Sequence, residues 1–330
     1  MKSYLIAVSA VIPSLLLVWY FYARDVHREP GKVIWMTFLL GNLAVFPVLA
    51  LVWPIDQLLS QLSNSYTQGF SIAFLSAAVP EELCKLLVLL AYSIRRREFD
   101  EPMDGIVYGA VASLGFATLE NIFYVLRGGI SVAIVRAFTA VPFHAFVGAI
   151  LGYYVGQSRF SPHKKLGYIF KGLGAAILLH GLYDFPIMTI KALDRGLSEA
   201  SSSTGVATFL GLSAILVLIL QGQWTLRLVH RLQRRQLAEI GASEESLILL
   251  QKTHRQNRTG RWIQLLLGGI LASVGGMFTL AIILGFILGN SLLNHNVTLF
   301  SAYLALGIMP LGFGLFLFIR AILRLSPSSA

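Results

Sequence analysis

Long apolar segments alternate with short polar ones along most of the chain. A helix that crosses a bilayer needs about 20 mostly apolar residues, and nine segments meet that length. The predicted spans are 3–23, 33–53, 69–94, 105–126, 130–155, 167–189, 205–222, 263–289 and 297–322. The pattern therefore predicts an all-α polytopic membrane protein with about nine transmembrane helices.

The basic residues between these segments indicate an orientation. Loops that follow the odd-numbered spans, with the C-terminal end, hold nineteen of the 26 Lys and Arg residues. The opposite loops and the N-terminus hold four, and three lie within spans. Cytoplasmic loops are enriched in Lys and Arg. We expect the N-terminus outside, the C-terminus in the cytoplasm and the protein in a bacterial plasma membrane.

Composition supports lipid as the solvent. The chain is 56% hydrophobic and 13% charged, whereas soluble domains carry about 25% charged residues. The net charge of +10 sits between apolar segments, where it suits anionic lipid headgroups. A nucleic-acid partner is therefore not expected.

The basic stretch 223–262 divides the chain. Residues 1–222 are predicted to form a seven-span core, and residues 263–330 to add two further spans. The first half of the stretch has helical periodicity. We interpret it as a cytoplasmic linker helix that lies on anionic lipids of the inner leaflet.

A few ionisable residues fall deep inside the predicted spans. An ionisable group at membrane depth is costly, so each is a functional candidate. Asp184 lies nearer the end of its span. The deepest residues are Glu81, Glu82, Glu120, His144 and His180.

These residues are predicted to share one depth although their four spans alternate in direction. Counted from the cytoplasmic boundaries, four of them lie about 18–24 Å deep at about 1.5 Å per residue. Lys85 is placed to pair with Glu81 or Glu82 at helical spacing. Asp184 is placed likewise to orient His180, and Asn121 is a further supporting candidate. Arg136 is interpreted as a packing or snorkelling residue.

The chemistry that these residue types allow is hydrolysis. No zincin helix, serine-hydrolase elbow or rhomboid-type serine motif is present in the sequence. A desolvated carboxylate can act as a general base on water, with histidine assisting. Alternatively, Glu81, Glu120, His144 and His180 could bind a divalent metal such as zinc. Metal-free chemistry without a cofactor is the favoured prediction, and the metal alternative stays open.

Four motifs resemble one known family. Residues 80–85 read PEELCK and resemble the E-E-x-x-K motif of the PrsW family of intramembrane proteases. Residues 104–124 resemble its second motif, with GFATLEN at 115–121. His144 stands at the third motif position, and residues 180–184, HGLYD, resemble the fourth. The likeness covers about residues 70–190 and leaves 223–330 outside.

The resemblance implies a glutamic-type membrane endopeptidase, distantly similar to CAAX prenyl endopeptidases and bacteriocin-processing proteases. It implies Glu81 and Glu82 as the base, with His144 and His180 assisting and Glu120 in the same cavity. The implied substrate is a single-span membrane protein, such as an anti-sigma factor cleaved at its first site. The competing hypothesis is a proton-coupled transporter or channel that uses the same Glu and His residues.

Overall fold

The computed structural model describes residues 2–59, 62, 64–196 and 204–239. All regular elements in these residues are helical. The α-helices are α1 Lys2–Arg24, α2 Gly31–Leu43, α3 Val45–Leu59, α4 Ser65–Ser71, α5 Val79–Ala91, α6 Pro102–Phe138, α7 Ala140–Arg159, α8 Lys165–Gly196 and α9 Thr204–Glu239. A π-helical segment covers Ile72–Ala78, and 3-10 turns cover Ser93–Arg95 and Pro162–Lys164.

The chain divides into two compact units. The first comprises Met1–Gly196 and Ser213–Gln236, and it holds every residue of the candidate site. The second comprises Leu197–Leu212 and Leu237–Ala330, of which residues 204–212 and 237–239 are described and helical. The predicted spans 263–289 and 297–322 lie outside the described residues.

Within the described residues, four helical stretches are long and apolar enough to cross a membrane: Gly31–Leu59, Pro102–Arg159, Pro162–Leu193 and Ala207–Glu239. A shorter apolar helix covers Ser9–Arg24. The helical membrane fold is therefore confirmed, and the chain is a multi-pass protein of the cell membrane. The count of nine spans and the orientation of the termini stay predictions.

The 58-residue stretch Pro102–Arg159 contains two predicted spans. Gly129 adopts φ 71° and ψ −163° within α6, a left-handed conformation that glycine tolerates best. The chain reverses there, because α7 packs antiparallel to the first part of α6. Gly109 lies against the backbone of Gly148, and Gly105 against that of Gly152. These glycines permit close helix contact, as the sequence predicts.

The third predicted span bends without breaking. The π-helical segment Ile72–Ala78 precedes α5, and the amide of Val79 donates to the carbonyl of Phe74, five residues back. Pro80 occupies the first turn of α5, where its missing N–H is tolerated. This predicted span therefore contains a π-helical turn before Pro80, and Ala78 and Val79 keep helical dihedrals. A separate half-helix, with its N-terminus at the glutamates, is not formed.

The predicted linker also differs from expectation. Helix α9 continues without a break to Glu239, so residues 223–239 extend the preceding helix and are not a separate surface helix. The hydroxyl of Thr225 donates to the carbonyl of Phe146 at 3.2 Å. Further along α9, Gln236 contacts Asp25 and Glu101. The second half of the linker lies outside the described residues.

Loops that were predicted to share one side of the membrane meet at one end of the first unit. Gln236 joins the loop after α1 to the start of α6 through Asp25 and Glu101. Arg159 donates to the carbonyl of Ile94. This grouping agrees with the alternation read from the basic residues. Burial there raises the pKa of Asp25 to about 6 and that of Glu29 to about 7.

Candidate active site

The site is built on one face of α5. Lys85 follows Glu82 by three residues and Glu81 by four, which brings its side chain next to both carboxylates. The Lys85 ammonium donates to Glu82 Oε1 at 2.8 Å and to Glu81 Oε2 at 3.1 Å. Glu82 and Lys85 are fully buried, whereas the Glu81 side chain keeps 11% exposure. Lys85 therefore pairs with both carboxylates, where the sequence predicted either one.

Helix α8 contributes a histidine to these glutamates. His180 Nδ1 lies 2.7 Å from Glu82 Oε1, and its Nε2 lies 3.9 Å from Glu81 Oε2. Asp184, one turn further along α8, places Oδ2 3.2 Å from the same Nε2. Carboxylates at both nitrogens fix the position of the ring. The predicted pairing of His180 with Asp184 is present.

Helix α7 contributes the second histidine. The Lys85 ammonium lies 3.2 Å from His144 Nδ1, and an ammonium can only donate. Nδ1 is therefore the acceptor, and the ring proton sits on Nε2. His144 Nε2 donates to Glu120 Oε2 at 2.9 Å. His144 thus links Lys85 on α5 to Glu120 on α6.

Arg136 completes the far side of the site. It donates to Glu120 Oε2 at 2.8 Å and to Asn121 Oδ1 at 2.8 Å. Asn121 in turn donates to the carbonyl of Ala10 at 2.9 Å. The interpretation of Arg136 as a packing or snorkelling residue was wrong. The missed signal was Glu120 itself, because a buried carboxylate needs a cationic partner.

Aromatic rings surround the two histidines. Phe143 packs edge-on against His180 and His144, with ring centroids at 4.9 Å and 5.1 Å. It also stacks on Tyr183 at 4.1 Å. The Lys85 ammonium lies 4.4 Å from the centroid of Phe116, a cation–π distance. These rings exclude water from the inner side of the cluster and hold both imidazoles in place.

The polar residues form one connected chain across four helices. It runs from Arg136 through Glu120, His144 and Lys85 to the two glutamates, and then through His180 to Asp184. The predicted convergence of the deep residues is therefore present in the structure. Exposure concentrates at Glu81, Asp184 and Glu120, whose side chains are 11%, 15% and 20% exposed. The catalytic roles of these residues stay a prediction.

A metal would find ligands at one part of this chain. One ligand atom each from Glu81, Glu82 and His180 lie within 4.8 Å of one another. Glu82 Oε2 is buried and has no hydrogen-bond partner among the residues that are described, so the donor set fits a cation with three protein ligands and an open position. The alternative set of Glu81, Glu120, His144 and His180 stays a prediction; in the structure Lys85 contacts His144, and Arg136 contacts Glu120.

The fold and the site define a class: polytopic helical membrane proteins with a buried centre of carboxylates and histidines. The family described as "PrsW family intramembrane metalloprotease" matches residues 29–219, which include the whole centre from Glu81 to Asp184. The chain belongs to this family.

Curated relatives agree with this assignment. "Protease PrsW" of Bacillus subtilis (strain 168) is 38% identical over 179 residues, which are 54% of this chain and 80% of the relative. The protein of the same name from Geobacillus kaustophilus (strain HTA426) is 39% identical over 54% of this chain and 78% of its own. That from Clostridioides difficile (strain 630) is 31% identical over 54% and 77%. No solved structure matches this chain.

Proposed function

We propose that the chain is an intramembrane endopeptidase in which Glu81 activates a water molecule that attacks a peptide bond of a membrane protein. The observation that carries the proposal is the connected chain of acidic, basic and imidazole groups on four membrane helices. The relatives named as proteases support the reaction class. They do not favour the competing hypothesis of a proton-coupled transporter or channel.

Glu81 has the properties of the general base. Its carboxylate accepts a hydrogen bond from Lys85 at 3.1 Å, and its side chain keeps 11% exposure, whereas Glu82 beside it has none. A base must contact the water from which it takes a proton. Glu82 has no exposure and is already bound to Lys85 and His180. Glu82 therefore positions both of these residues, while Glu81 meets the water.

The remaining groups supply charge and proton transfer. The water oxygen attacks the carbonyl carbon, and Glu81 takes a proton from the water. His180 is held at Nδ1 by Glu82, and its Nε2–H contacts Asp184 before the substrate binds. This N–H exchanges Asp184 for the carbonyl oxygen and stabilises the negative charge that develops there. The C–N bond then breaks, and Glu81 delivers the proton to the leaving nitrogen. The products are a carboxylate and an amine.

Further from Glu81, His144 and Glu120 hold Lys85 in position. His144 Nδ1 accepts from the third N–H of Lys85, so all three ammonium protons have partners. Glu120 accepts from His144 and Arg136 on the same oxygen. This arrangement fixes the ammonium between Glu81 and Glu82, where it balances their negative charge. Arg136 holds the Glu120 carboxylate in place, so that Glu120 keeps its hydrogen bond to His144.

Metal-assisted chemistry is the alternative within this reaction class. Glu81, Glu82 and His180 would hold a zinc ion, which supplies Lewis-acid activation of water. Lys85 favours the metal-free form, because its ammonium already binds one oxygen of each glutamate. The unpartnered Glu82 Oε2 favours the metal. We propose the metal-free form, and chelation decides between the two.

The substrate class rests on the family resemblance. We propose a single-span membrane protein, of which an anti-sigma factor is one type. Anionic lipids around the basic linker are proposed as further partners. The linker residues that the structure describes, 223–239, include Arg227, Arg231, Arg234 and Arg235.

The test uses purified full-length protein in liposomes with a panel of single-span substrates, including anti-sigma factors. We expect wild-type protein to cut at least one of them within or beside its span, and Glu81→Gln to lose this cleavage. Mass spectrometry of the fragments identifies the bond. Glu98→Gln is the matched control, because Glu98 is exposed in the loop before α6.

Chelator is added to the same assay. Full activity after metal removal supports the metal-free form, and loss that zinc restores supports the metal. Cleavage by Glu81→Gln at the wild-type rate would contradict the proposal. Uptake or current without peptide cleavage would support the transporter hypothesis.

A further inference from the structure

A second group of buried acids lies at the loop end of the first unit. Asp25 and Glu29 belong to the loop between α1 and α2, and Asp104 belongs to the first turn of α6. They are 3%, 4% and 0% exposed. One carboxylate oxygen from each lies within 4.8 Å of the other two. Three carboxylates thus share one buried position.

This group is separate from the candidate active site. Asp104 and Glu120 are sixteen residues apart on α6, which corresponds to about 24 Å at 1.5 Å per residue. The contacts of the active-site chain run through α5, α7, α8 and the far part of α6, while Asp25 and Glu29 lie in a loop. The two groups therefore have separate surroundings.

Each carboxylate is held through one of its oxygens. Asp104 Oδ2 accepts from the amides of Asp100 and Glu101, both at 2.8 Å. Tyr108, one turn along α6, donates its hydroxyl to Glu29 Oε2. These bonds fix the two carboxylates at the start of α6.

Asp25 is held in the same manner from α9 and from its own loop. Its Oδ1 accepts from Gln236 Nε2 at 2.6 Å and from the amide of His27 at 3.2 Å. Gln236 Oε1 faces the amide of Val26 at 3.4 Å. The three acids are therefore positioned before any ligand arrives.

The hydrogen bonds described above use only one oxygen of each carboxylate. Asp25 Oδ2 and Asp104 Oδ1 are buried and have no hydrogen-bond partner within the described part of the chain. One oxygen from each of Asp104, Glu29 and Asp25 lies within 4.8 Å of the other two, so the three carboxyls face one another. Among the residues that the structure describes, no Lys or Arg forms an ion pair with these three acids.

Such an arrangement is relieved either by a proton on one of the carboxyls or by a bound positive charge. A buried carboxylate without a counter-charge is strongly destabilising, and here three occupy one position. Hard divalent cations bind carboxylate oxygens, and Ca²⁺ does so at 2.3–2.6 Å. Its coordination sphere is therefore about 4.6–5.2 Å across. Three donor oxygens within 4.8 Å of one another fit around such an ion.

We propose that Asp25, Glu29 and Asp104 form a binding site for a hard divalent cation of the calcium type. The ion bridges the loop after α1 to the first turn of α6. Through Gln236 it also fastens α9 to the same end of the unit. Its role is structural, because none of its ligands belongs to the active-site chain.

The first test is unfolding of the full-length protein in detergent micelles. We expect the thermal midpoint of the wild type to fall in chelator and to recover when Ca²⁺ is added. The recovery should saturate with Ca²⁺ concentration, because an ion that binds only the folded state stabilises it by mass action. A midpoint that does not respond to chelator or Ca²⁺ overturns the proposal, and it favours a proton shared between Glu29 and Asp104.

The second test uses Tb³⁺ as a luminescent substitute for Ca²⁺. Tyr108 contacts Glu29, so excitation of its ring should transfer energy to a bound Tb³⁺. We expect luminescence in the wild type, displacement by Ca²⁺, and at least tenfold weaker Tb³⁺ binding in Glu29→Gln and in Asp25→Asn. Tyr108→Phe should bind the ion but lose most of the luminescence.

Two controls locate the signal. Glu98→Gln removes an exposed acid from the same loop region, and Glu81→Gln removes a ligand from the other candidate metal group. Both should keep the luminescence of the wild type. Loss of the signal in Glu81→Gln with retention in Glu29→Gln overturns the proposal. The wild-type response to chelator decides the question even where a variant fails to fold.

Discussion

The two buried acidic groups differ in how their charge is balanced. At the candidate active site, Lys85, Arg136 and two histidines accompany Glu81, Glu82, Glu120 and Asp184. At the loop end, Asp25, Glu29 and Asp104 have hydrogen bonds but no Lys or Arg in the described part of the chain. The comparison indicates that the first group carries its own counter-charges, while the second has no Lys or Arg counter-charge among the described residues.

The same difference suits the first group to catalysis and the second group to a structural role. The first group contains both proton acceptors and proton donors, and three of its carboxylates are partly exposed. It can therefore exchange protons with a bound water. The second group contains only acceptors that face one another, which suits a bound cation.

The largest expected effect is on His180. In His180→Asn the ring that contacts Glu81, Glu82 and Asp184 is lost, so oxyanion stabilisation and the position of Glu82 are lost together. We expect the cleavage rate to fall about 100- to 10,000-fold. The thermal midpoint of unfolding should fall only slightly, because the variant still folds. Single-turnover cleavage in liposomes measures the rate. His163→Asn is the control, because His163 is exposed beside α8, and equal losses in both would contradict the assignment.

The next effect is on folding stability. Lys85→Met leaves Glu81, Glu82 and His144 without their shared donor. Removal of one partner from a buried ion pair costs about 3–5 kcal/mol, and we expect a loss of unfolding free energy of this size. Denaturant unfolding in micelles measures it. Lys171→Met should have little effect, since Lys171 is exposed. A Lys85→Met protein as stable as the wild type would show that the glutamates need no counter-charge.

A smaller effect is expected for Arg136. Arg136→Gln removes the charge that faces Glu120 but leaves a side chain able to reach Asn121. We expect kcat to fall about tenfold, equal to about 1.4 kcal/mol, while KM stays near its wild-type value. Steady-state kinetics separate the two parameters. Arg127→Gln provides the exposed control. A change confined to KM would instead place Arg136 at the substrate.

The smallest effect concerns the loop end. Tyr108→Phe removes the hydrogen bond to Glu29, and one such bond contributes about 0.5–1.5 kcal/mol. We expect a loss of unfolding free energy in this range, with cleavage kept at the wild-type rate. Tyr66→Phe is the control at an exposed tyrosine. A loss of cleavage in Tyr108→Phe would show that the two groups are linked.

Much of the active site could be predicted from sequence because its members are costly in lipid. Glu81, Glu82, Glu120, His144 and His180 are conspicuous within apolar spans, and a common depth follows from counting residues. Pairings at i+3 and i+4, such as Glu82 with Lys85 and His180 with Asp184, follow from helix geometry.

Other features depend on contacts between distant parts of the chain. Arg136 resembles an ordinary snorkelling residue until the reversal at Gly129 brings it to Glu120. The continuity of α9 was not predicted, because its residues change from apolar to basic along the helix and indicated a separate linker helix. The loop-end acids lie at span boundaries, where charged residues are common. Nothing in the sequence alone indicates that they meet.

The central claim is that the polar residues of α5 and α8 act as one catalytic unit, and a double-mutant cycle tests it most directly. Single-turnover cleavage is measured for wild type, Glu81→Gln, His180→Asn and the double variant. Residues that act as a unit show strongly non-additive losses. We predict that the double variant is about as slow as the slower single variant. Losses that multiply would contradict the account, because they would show that Glu81 and His180 act independently.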